Sequence, residues 1–372
     1  MDKPVKVLAV VCQMNRGGLE CRMMDILRFI DRTKVQIDLF TYREDKGYFD
    51  DEVTALGSTI YYNKPLTVRN MFSYSGYFAD FLRKHPEYKI VHAHQDAWCS
   101  VFCKGAYKAG VPVRIAHSRT SIETYTLPNL VKNLIKLPTV KYATHYFAVS
   151  DKAGKWLFGK KNFEKGKVRI WPNAIDTHPF RYNPEVRKMM QEEFKISGET
   201  VLLHVGNFTP PKNQMFLLEV FADYVKRNPN AVLLLAGKGE REAHEERALQ
   251  LGVAEKVRFL GGRDDIEKLL QVGDVFVFPS LFEGFPGAVL EAQAAGLPCL
   301  ISDRITKEVC VLPTTRMLSL SDEVSNWSDG IEEALKQPRT DSIPTIEKAG
   351  FDIRSLVVEL EKFYQEVSKE VR

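Results

Sequence analysis

The feature that most constrains the fold of this chain is a repeated alternation between short runs of branched apolar residues and longer amphipathic stretches. This alternation is typical of parallel sheets covered by helices, so it predicts an α/β protein. In the first part of the chain it predicts strands near Lys6 to Cys12, Val35 to Thr41, Lys89 to His94, Val113 to His117, His145 to Val149 and Val168 to Trp171. The predicted helices between them are Gly18 to Ile30, Met71 to Lys84, Ala97 to Ala109 and Asp151 to Phe158.

The pattern restarts after a segment that contains Pro172, Pro179 and Pro184, punctuation that suits a linker. Five more strands are predicted, near Val201 to Val205, Ala231 to Ala236, Val257 to Leu260, Val275 to Pro279 and Cys299 to Ser302. A chain of 372 residues is long enough for two domains. We therefore expect two Rossmann-like lobes, residues 1–173 and 174–351, facing a central cleft. Residues 352–372 have helical apolar spacing and are expected to form a helix that crosses back to the first lobe.

Charge and cysteine usage limit the class of protein. The net charge of +4, from 52 basic and 48 acidic residues, does not indicate a nucleic-acid partner. Residues 100–170 are locally basic, with 14 Lys or Arg against three acidic residues, and either face anionic lipid or phosphate or form a solvated surface. Six scattered cysteines without Cys-x-x-Cys spacing favour a reducing, cytoplasmic setting. No targeting or transmembrane segment is expected.

The most specific segment is FPSLFEGFPGAVLEAQAAGLP, residues 278–298, in which Glu283 and Glu291 bracket seven residues. Pro286 fits the first position of a helix, so Glu283 and Gly284 are expected in the preceding turn and Glu291 in the second helical turn. Unsatisfied N–H groups at such a helix start suit an anion or sugar hydroxyls. Glu291 lies among apolar residues and needs a hydrogen-bond partner, which ribose hydroxyls would supply. The alternative is a solvated helix with a capping glutamate.

Two other segments follow predicted strands. In HVGNFTPPKNQ, residues 204–214, Lys212 is placed to neutralise a diphosphate leaving group, unless it is a plain surface lysine. In VLAVVCQMNRGGLE, residues 7–20, Gly17 and Gly18 allow a phosphate or an acceptor to approach the backbone closely. The alternative there is an ordinary strand-to-helix turn.

Three histidines end predicted strands of the first lobe. His117, in VRIAHSRTS (residues 113–121), lies where ligands of open α/β sheets bind. His92 and His94 end another strand, and we expect them to differ in facing, with His94 lining the cleft and His92 structural. A core or surface role is the alternative for each isolated imidazole.

Taken together, these segments resemble glycosyltransferase family 4, retaining enzymes with the GT-B fold that include bacterial exopolysaccharide and capsule glycosyltransferases. The resemblance covers nearly the whole chain. It implies that His117 and Glu283 lie by the donor sugar, that Glu291 holds the ribose, and that Gly17 and Gly18 face the donor diphosphate. It also implies that backbone N–H groups of the donor-binding residues Gly284, Phe285 and Pro286 contact sugar hydroxyls.

The chain departs from the family pattern at Asn207, where the family usually has an Arg that pairs with Lys212. Asn207 is still expected to be a donor-binding residue. Stabilisation of the leaving diphosphate is then either weaker or completed by another residue, such as Arg263 or Arg16. Because the Asn207 side chain is uncharged, one alternative function is that of a non-catalytic partner subunit. A nucleotide-sugar epimerase is a second alternative.

The resemblance implies transfer of a sugar, with retention, from a nucleotide diphosphate sugar such as UDP-sugar to a glycan or polyprenyl-linked acceptor of a surface polysaccharide. The sequence contains no Asp-x-Asp pair, and its His, Cys and Asp residues form no cluster with the spacing of metal ligands. No metal cofactor is therefore expected. The leaving phosphate would then be stabilised by Lys212 and helix N-termini.

A second expected partner is an anionic membrane, on the inner face of the cell membrane. Within residues 129–141, apolar residues alternate with three lysines. The apolar residues are Leu130, Val131, Leu134, Ile135 and Leu137, and the lysines are Lys132, Lys136 and Lys141. Such a segment can lie in a bilayer interface. The alternative is that the apolar residues pack into the lobe, and Pro138 limits any helix to about two turns.

Overall fold

The computed structural model describes residues 3–120 and 126–370, and it divides into two compact units. The first unit comprises Met1–Ala174 and Ile353–Arg372, and the second comprises Ile175–Asp352. These bounds lie within one residue of the expected division. Ser121, the last residue of the segment that contains His117, lies outside the described residues, as do residues 371 and 372 of the expected terminal helix.

The first unit is built on a seven-stranded parallel sheet in the order β3-β2-β1-β4-β5-β6-β7. Its strands are β1 Val5–Val11, β2 Val35–Thr41, β3 Ile60–Tyr62, β4 Ile90–Ala93, β5 Val113–Ser118, β6 His145–Ala148 and β7 Val168–Ile170. The accompanying helices are α1 Gly18–Phe29, α2 Asp50–Ala55, α3 Met71–Lys84, α4 Cys99–Lys108, α5 Leu127–Ile135, α6 Thr139–Tyr142, α7 Asp151–Phe158 and α8 Lys160–Glu164. Strand β3 was not predicted because a three-residue edge strand is too short for a recognisable apolar run.

The second unit repeats this architecture with a six-stranded parallel sheet in the order β10-β9-β8-β11-β12-β13. Its strands are β8 Thr200–Val205, β9 Ala231–Ala236, β10 Val257–Gly261, β11 Val275–Phe278, β12 Cys299–Ser302 and β13 Thr315–Leu318. Its helices are α9 Pro184–Glu193, α10 Gln214–Arg227, α11 Glu242–Gln250, α12 Ile266–Val272, α13 Gly287–Ala294, α14 Val324–Leu335 and α15 Ile343–Lys348. The predicted class, α/β with two Rossmann-like sheets, is confirmed.

One part of the expected linker is a helix instead. Helix α9 begins at Pro184, and the Asn183 side chain caps it by accepting the N–H of Glu185 at 2.9 Å. An Asn cap followed by Pro at the first position is a helix-start signal. The interpretation of Pro184 as linker punctuation was therefore wrong.

The last helix, α16 Ile353–Lys369, belongs to the first unit. Its apolar face contributes to the core that is formed by β1, β2 and α1, with residues Ile353, Leu356, Val357, Leu360, Phe363, Tyr364 and Val367. Burial of this stripe stabilises the helix on the sheet, since most helical stability in proteins comes from tertiary packing. Within the described residues, no helix is both long enough and apolar enough to cross a bilayer.

Candidate functional site

In the second unit, the predicted site residues gather where the strand order reverses. Strands β8 and β11 are neighbours in the sheet although they are not consecutive in the chain. Ligands of open α/β sheets bind beyond the carboxyl ends of the strands at such a switch point. Lys212 lies in the loop that follows β8, and Glu283 lies in the loop that follows β11.

Hydrogen bonds between these two loops hold their backbones together. The N–H of Leu281 donates to the carbonyl of Pro211 at 2.8 Å, and the Asn213 side-chain amide donates to the carbonyl of Pro279 at 3.1 Å. Asn213 itself has a left-handed backbone with φ of 57°, a conformation that Asn tolerates better than most residues. The position of Lys212 is therefore set by its neighbours on both sides.

The two charged side chains form an ion pair. Lys212 Nζ lies 2.6 Å from Glu283 Oε1, and the two side chains are 22% and 18% exposed. The ammonium also lies 4.8 Å from the centre of the Phe278 ring, which adds a cation–π contact. The pair is thus partly desolvated, and it lies at the switch point, where ligands of open α/β sheets bind.

Helix α13 begins directly after this pair. Gly284, Phe285 and Pro286 are buried, and the Phe285 ring stacks on Phe351 with centroids 5.2 Å apart. The Phe285 side chain therefore belongs to the core, which leaves its backbone for ligand contact. The expectation of an N–H donor at Pro286 was wrong because proline has none, and Pro286 precedes the helix as its N-cap.

Glu291 lies in the second turn of α13, as expected, and is half-buried. Its carboxylate folds back towards the start of the helix, because a Cβ built on Gly287 would lie 3.9 Å from Glu291 Oε1. Both glutamates of the spaced pair therefore lie at the same helix N-terminus, whose backbone dipoles favour anions and hydroxyl oxygens.

The Asn207 side chain joins two loops at the end of β8. Its side-chain oxygen accepts the N–H of Lys238 at 3.1 Å, which ties the loop after β8 to the loop after β9. The suggested substitute Arg263 donates to both oxygens of Asp265 at 2.8 and 2.7 Å and contacts Glu193 at 3.1 Å. Arg16 stacks on Tyr48, its guanidinium 3.8 Å from the ring centre. Both arginines already have acidic or aromatic partners.

In the first unit, the strand order reverses between β1 and β4. Gly17 and Gly18 follow β1, and Gly17 is the extended N-cap of α1 with φ of −148°. A side chain at Gly17 would clash with Glu20, whose Oε2 lies 2.3 Å from an added Cβ, whereas a Cβ on Gly18 would meet open space. A side chain at Gly17 would therefore only require the flexible Glu20 carboxylate to move, and Gly18 leaves the start of α1 accessible.

Three histidines meet at the carboxyl ends of β4 and β5. His92 Nε2 lies 3.1 Å from His117 Nδ1, and the rings of His92 and His94 stack with centroids 3.9 Å apart. The expected difference in facing between His92 and His94 was wrong, because residues two apart in a strand share one face. Burial, followed by the charge of Arg119, lowers the pKa of His117 well below its usual value, so the ring is neutral.

Arg119 and Asp96, which the sequence analysis missed, surround these rings. Arg119 donates to His94 Nδ1 at 2.8 Å and to Asn173 Oδ1 at 2.7 Å. Asp96 has a left-handed backbone with φ of 48° and accepts the N–H of Arg119 at 2.6 Å. Burial raises the pKa of Asp96 to about 6. The available signal was an Arg two residues beyond the predicted end of the strand at His117.

The structure also contains a cluster of potential metal ligands that the spacing of residues in the sequence did not indicate. Within the described part of the chain, one nitrogen each from His92, His94 and His117 lies within 4.8 Å of the others. Both nitrogens of His92 already have hydrogen-bond partners, and the Arg119 cation donates to His94. A divalent ion would have to displace these contacts beside a positive charge, so the residues fit a hydrogen-bonded cluster better than a metal centre.

Two known protein families match the two halves of the chain. The family described as Glycosyltransferase Family 4 matches residues 16–179, and Glycosyl transferases group 1 matches residues 185–348. The putative glycosyltransferase EpsF of Bacillus subtilis is 35% identical over 368 residues, which are 96% of each chain. The UDP-Gal:alpha-D-GlcNAc-diphosphoundecaprenol alpha-1,3-galactosyltransferase of Escherichia coli is 28% identical over 267 residues, 69% of this chain and 68% of that protein.

The fold is also similar to solved structures. HepE of Anabaena, crystallised with UDP and glucose, superposes with a TM-score of 0.78 at 17% identity, covering 97% of this chain and 100% of HepE. At this identity the likeness concerns the fold alone.

Proposed function

Because the chain belongs to the glycosyltransferases of family 4, we propose that it transfers a sugar, with retention of configuration, from a UDP-sugar to a glycan or lipid-linked acceptor. The name of the Escherichia coli relative, which specifies a UDP-linked donor and a diphosphoundecaprenol acceptor, supports both substrate classes. The proposed setting is assembly of a bacterial surface polysaccharide at the inner face of the cell membrane.

The observation that carries this proposal is the Lys212–Glu283 pair, 2.6 Å apart, at the start of α13 and on the switch point of the second unit. In the proposed reaction the bond between the sugar C1 and the phosphate oxygen breaks while Lys212 neutralises the departing diphosphate. The acceptor hydroxyl attacks C1 from the same face, and its proton passes to the departing phosphate oxygen. Glu291 accepts hydrogen bonds from the ribose hydroxyls. No resident metal is part of the proposal.

UDP binding and sugar transfer test this proposal directly. UDP at ~100-fold its dissociation constant should add about 2.7 kcal/mol to the free energy of unfolding of the wild type. Glu291→Gln should fold normally and need more UDP for the same thermal shift, because an amide replaces two carboxylate acceptors. Transfer from UDP-sugars to lipid-linked glycans should retain configuration and persist in EDTA.

Other outcomes point to other functions. Binding of UDP without transfer to any acceptor would favour a non-catalytic partner subunit, and isomerisation of the donor in the absence of acceptor would favour an epimerase. Loss of activity in EDTA would contradict the metal-free part of the proposal. Unchanged UDP affinity in Glu291→Gln would remove Glu291 from the nucleotide site.

We further propose that the surface around α5 and α6 contacts anionic phospholipid. Apolar side chains are exposed there at helical spacing: Leu127 (76%), Leu130 (46%), Leu134 (68%), Leu137 (63%) and Val140 (36%). Ile135, expected on the lipid side, is buried instead at 7% exposure. Neighbouring lysines and the basic excess of residues 100–170 supply charge complementary to an anionic leaflet.

One of the three lysines expected at this surface is engaged elsewhere. The Lys136 ammonium donates to the carbonyl of Trp156 and lies 4.5 Å from the centre of its ring. Burial lowers the pKa of Lys136. Lys132 and Lys141 are exposed and remain the candidates for lipid contact.

Liposome co-sedimentation tests the membrane contact. The double variant Lys132→Gln/Lys141→Gln should weaken binding to anionic vesicles roughly 30-fold, since each surface lysine contributes about 1 kcal/mol. Binding of the wild type should fall at high salt. The matched control Lys226→Gln/Lys336→Gln removes two exposed lysines of the second unit and should bind as the wild type does. Equal pelleting with neutral and anionic vesicles would contradict the proposal.

A further inference from the structure

The terminal helix α16 joins the histidine cluster of the first unit through one hydroxyl group. Tyr364 Oη lies 2.7 Å from His92 Nδ1, and His92 Nε2 lies 3.1 Å from His117 Nδ1. All three side chains, which we name the histidine relay, are 1% exposed. The relay therefore connects a helix at the end of the chain to the strand end that carries His117, in a setting that excludes water.

The proton positions in this relay follow from its members. Burial raises the pKa of Tyr364 far above its usual value, so the phenol keeps its proton. Among the residues described, His92 Nδ1 is the hydrogen-bond partner of that hydroxyl. If the bond ran the other way, the phenol proton would be buried without an acceptor, at a cost of about 1–3 kcal/mol.

A neutral imidazole carries one N–H, so an accepting Nδ1 places the proton of His92 on Nε2. Burial keeps the pKa of His92 and of His117 well below their usual values, and both rings are neutral. His92 Nε2–H then donates to His117 Nδ1, which places the proton of His117 on Nε2.

The outer nitrogen of His117 is buried and has no partner with hydrogen-bond geometry within residues 3–120 and 126–370. A buried polar nitrogen without a partner is costly unless a ligand supplies one. With the proton placed by the relay, this atom is a donor, and the matching ligand group is an oxygen acceptor such as a sugar hydroxyl. The opposite tautomer would present a lone pair and select a donor instead.

We propose that Tyr364 is a positioning residue that, through His92, holds His117 in the tautomer with Nε2–H, so that His117 donates a hydrogen bond to an oxygen of the donor sugar. This inference rests on the proposed transferase function for its substrate, but the tautomer itself is a property of the unliganded protein. Tyr364 acts through His117 and does not contact the substrate.

Nitrogen NMR of the histidine rings tests the tautomer without any activity measurement. In protein labelled with 15N-histidine, His117, assigned by the loss of its signals in His117→Ala, should show the Nε2–H pattern. Tyr364→Phe should convert it to a mixture of tautomers. The control Tyr74→Phe removes another fully buried hydroxyl of the same unit, which donates to the carbonyl of Lys64 at 2.7 Å, and should leave the pattern unchanged. An Nδ1–H pattern in the wild type, or an unaltered pattern in Tyr364→Phe, would overturn the inference.

Kinetics supply the second readout. Tyr364→Phe should lower kcat about 3- to 10-fold, the range of one neutral hydrogen bond, while KM for the donor changes little. In a His117→Ala background the same substitution should have no further effect, because a positioning residue acts only through its target. Additive losses in the double variant would show that Tyr364 acts independently. If the wild type transfers no sugar, the proposed function fails, whereas the NMR result still decides the tautomer.

Discussion

Replacing Lys212 with Ala should lower kcat on the order of 100-fold or more, while the protein remains folded. The loss of one preorganised group that stabilises developing negative charge typically costs 10²- to 10³-fold. Here the lost group is the ammonium that lies 2.6 Å from Glu283 and 4.8 Å from the Phe278 ring centre, a partly desolvated position in which its charge is weakly screened. The measurement is kcat with saturating UDP-sugar and acceptor.

The substitution also leaves the Glu283 carboxylate without its counterion, so thermal stability must be measured on the same protein. Lys336→Ala provides the matched control, because it removes a lysine from another Lys–Glu pair, with Glu333 at 2.5 Å, on the exposed face of α14. That variant should keep full activity. Normal turnover by folded Lys212→Ala protein would show that the leaving diphosphate is stabilised by other groups.

The second large effect is expected for His117→Ala, which should lower kcat on the order of 10- to 100-fold and leave UDP affinity unchanged. His117 belongs to the first unit, and its proposed contact is with the sugar, so the nucleotide part of the donor should bind normally. A buried hydrogen bond that leaves its partner unpaired when removed is worth about 1–3 kcal/mol, which corresponds to this range. Kinetics with UDP-sugar and a UDP thermal shift measure the two quantities.

A second property of His117 can be checked in the wild type. Because burial holds the pKa of His117 well below its usual value, the ring is neutral throughout physiological pH, and its titration should not appear in the pH–rate profile between about pH 6 and 8. His145→Ala is the control for the loss of kcat in His117→Ala, since His145 begins β6, the strand beside β5, and so lies at the amino ends of the strands. Equal losses in His117→Ala and His145→Ala would indicate a general effect on folding.

The sequence predicted the local elements well where the apolar pattern was long. Strands β2, β9 and β12 and helices α3 and α7 have the predicted bounds, because buried parallel strands read as continuous apolar runs and their helices as amphipathic ones. Strands β3 and β13 escaped prediction because β3 has only three residues and Arg316 interrupts the short apolar run of β13. Helix α9 was not predicted because Pro184 was interpreted as part of a linker, whereas it is the first residue of the helix.

Part of the candidate site was also readable along the chain. Glu283 and Glu291 are eight positions apart, and a strand, a tight turn and a helix start within that window place both at one helix N-terminus. The roles of these residues stay predictions, as do those of Gly17, Gly18, Asn207 and His117. The partners of these residues in space could not be predicted from the order of residues along the chain.

Those partners were decided by the tertiary structure. Lys212 meets Glu283 because β8 and β11 are neighbours in the sheet, although the two residues lie 71 positions apart. Tyr364 meets His92 across 272 positions because α16 docks on the first sheet, and the approach of β5 to β4 brings His117 to His92. Apolar periodicity is a property of neighbouring residues and specifies which elements form and which face is buried. Strand order and helix docking depend on how the buried faces pack together, and only that packing determines which charged and titratable side chains share one low-dielectric environment.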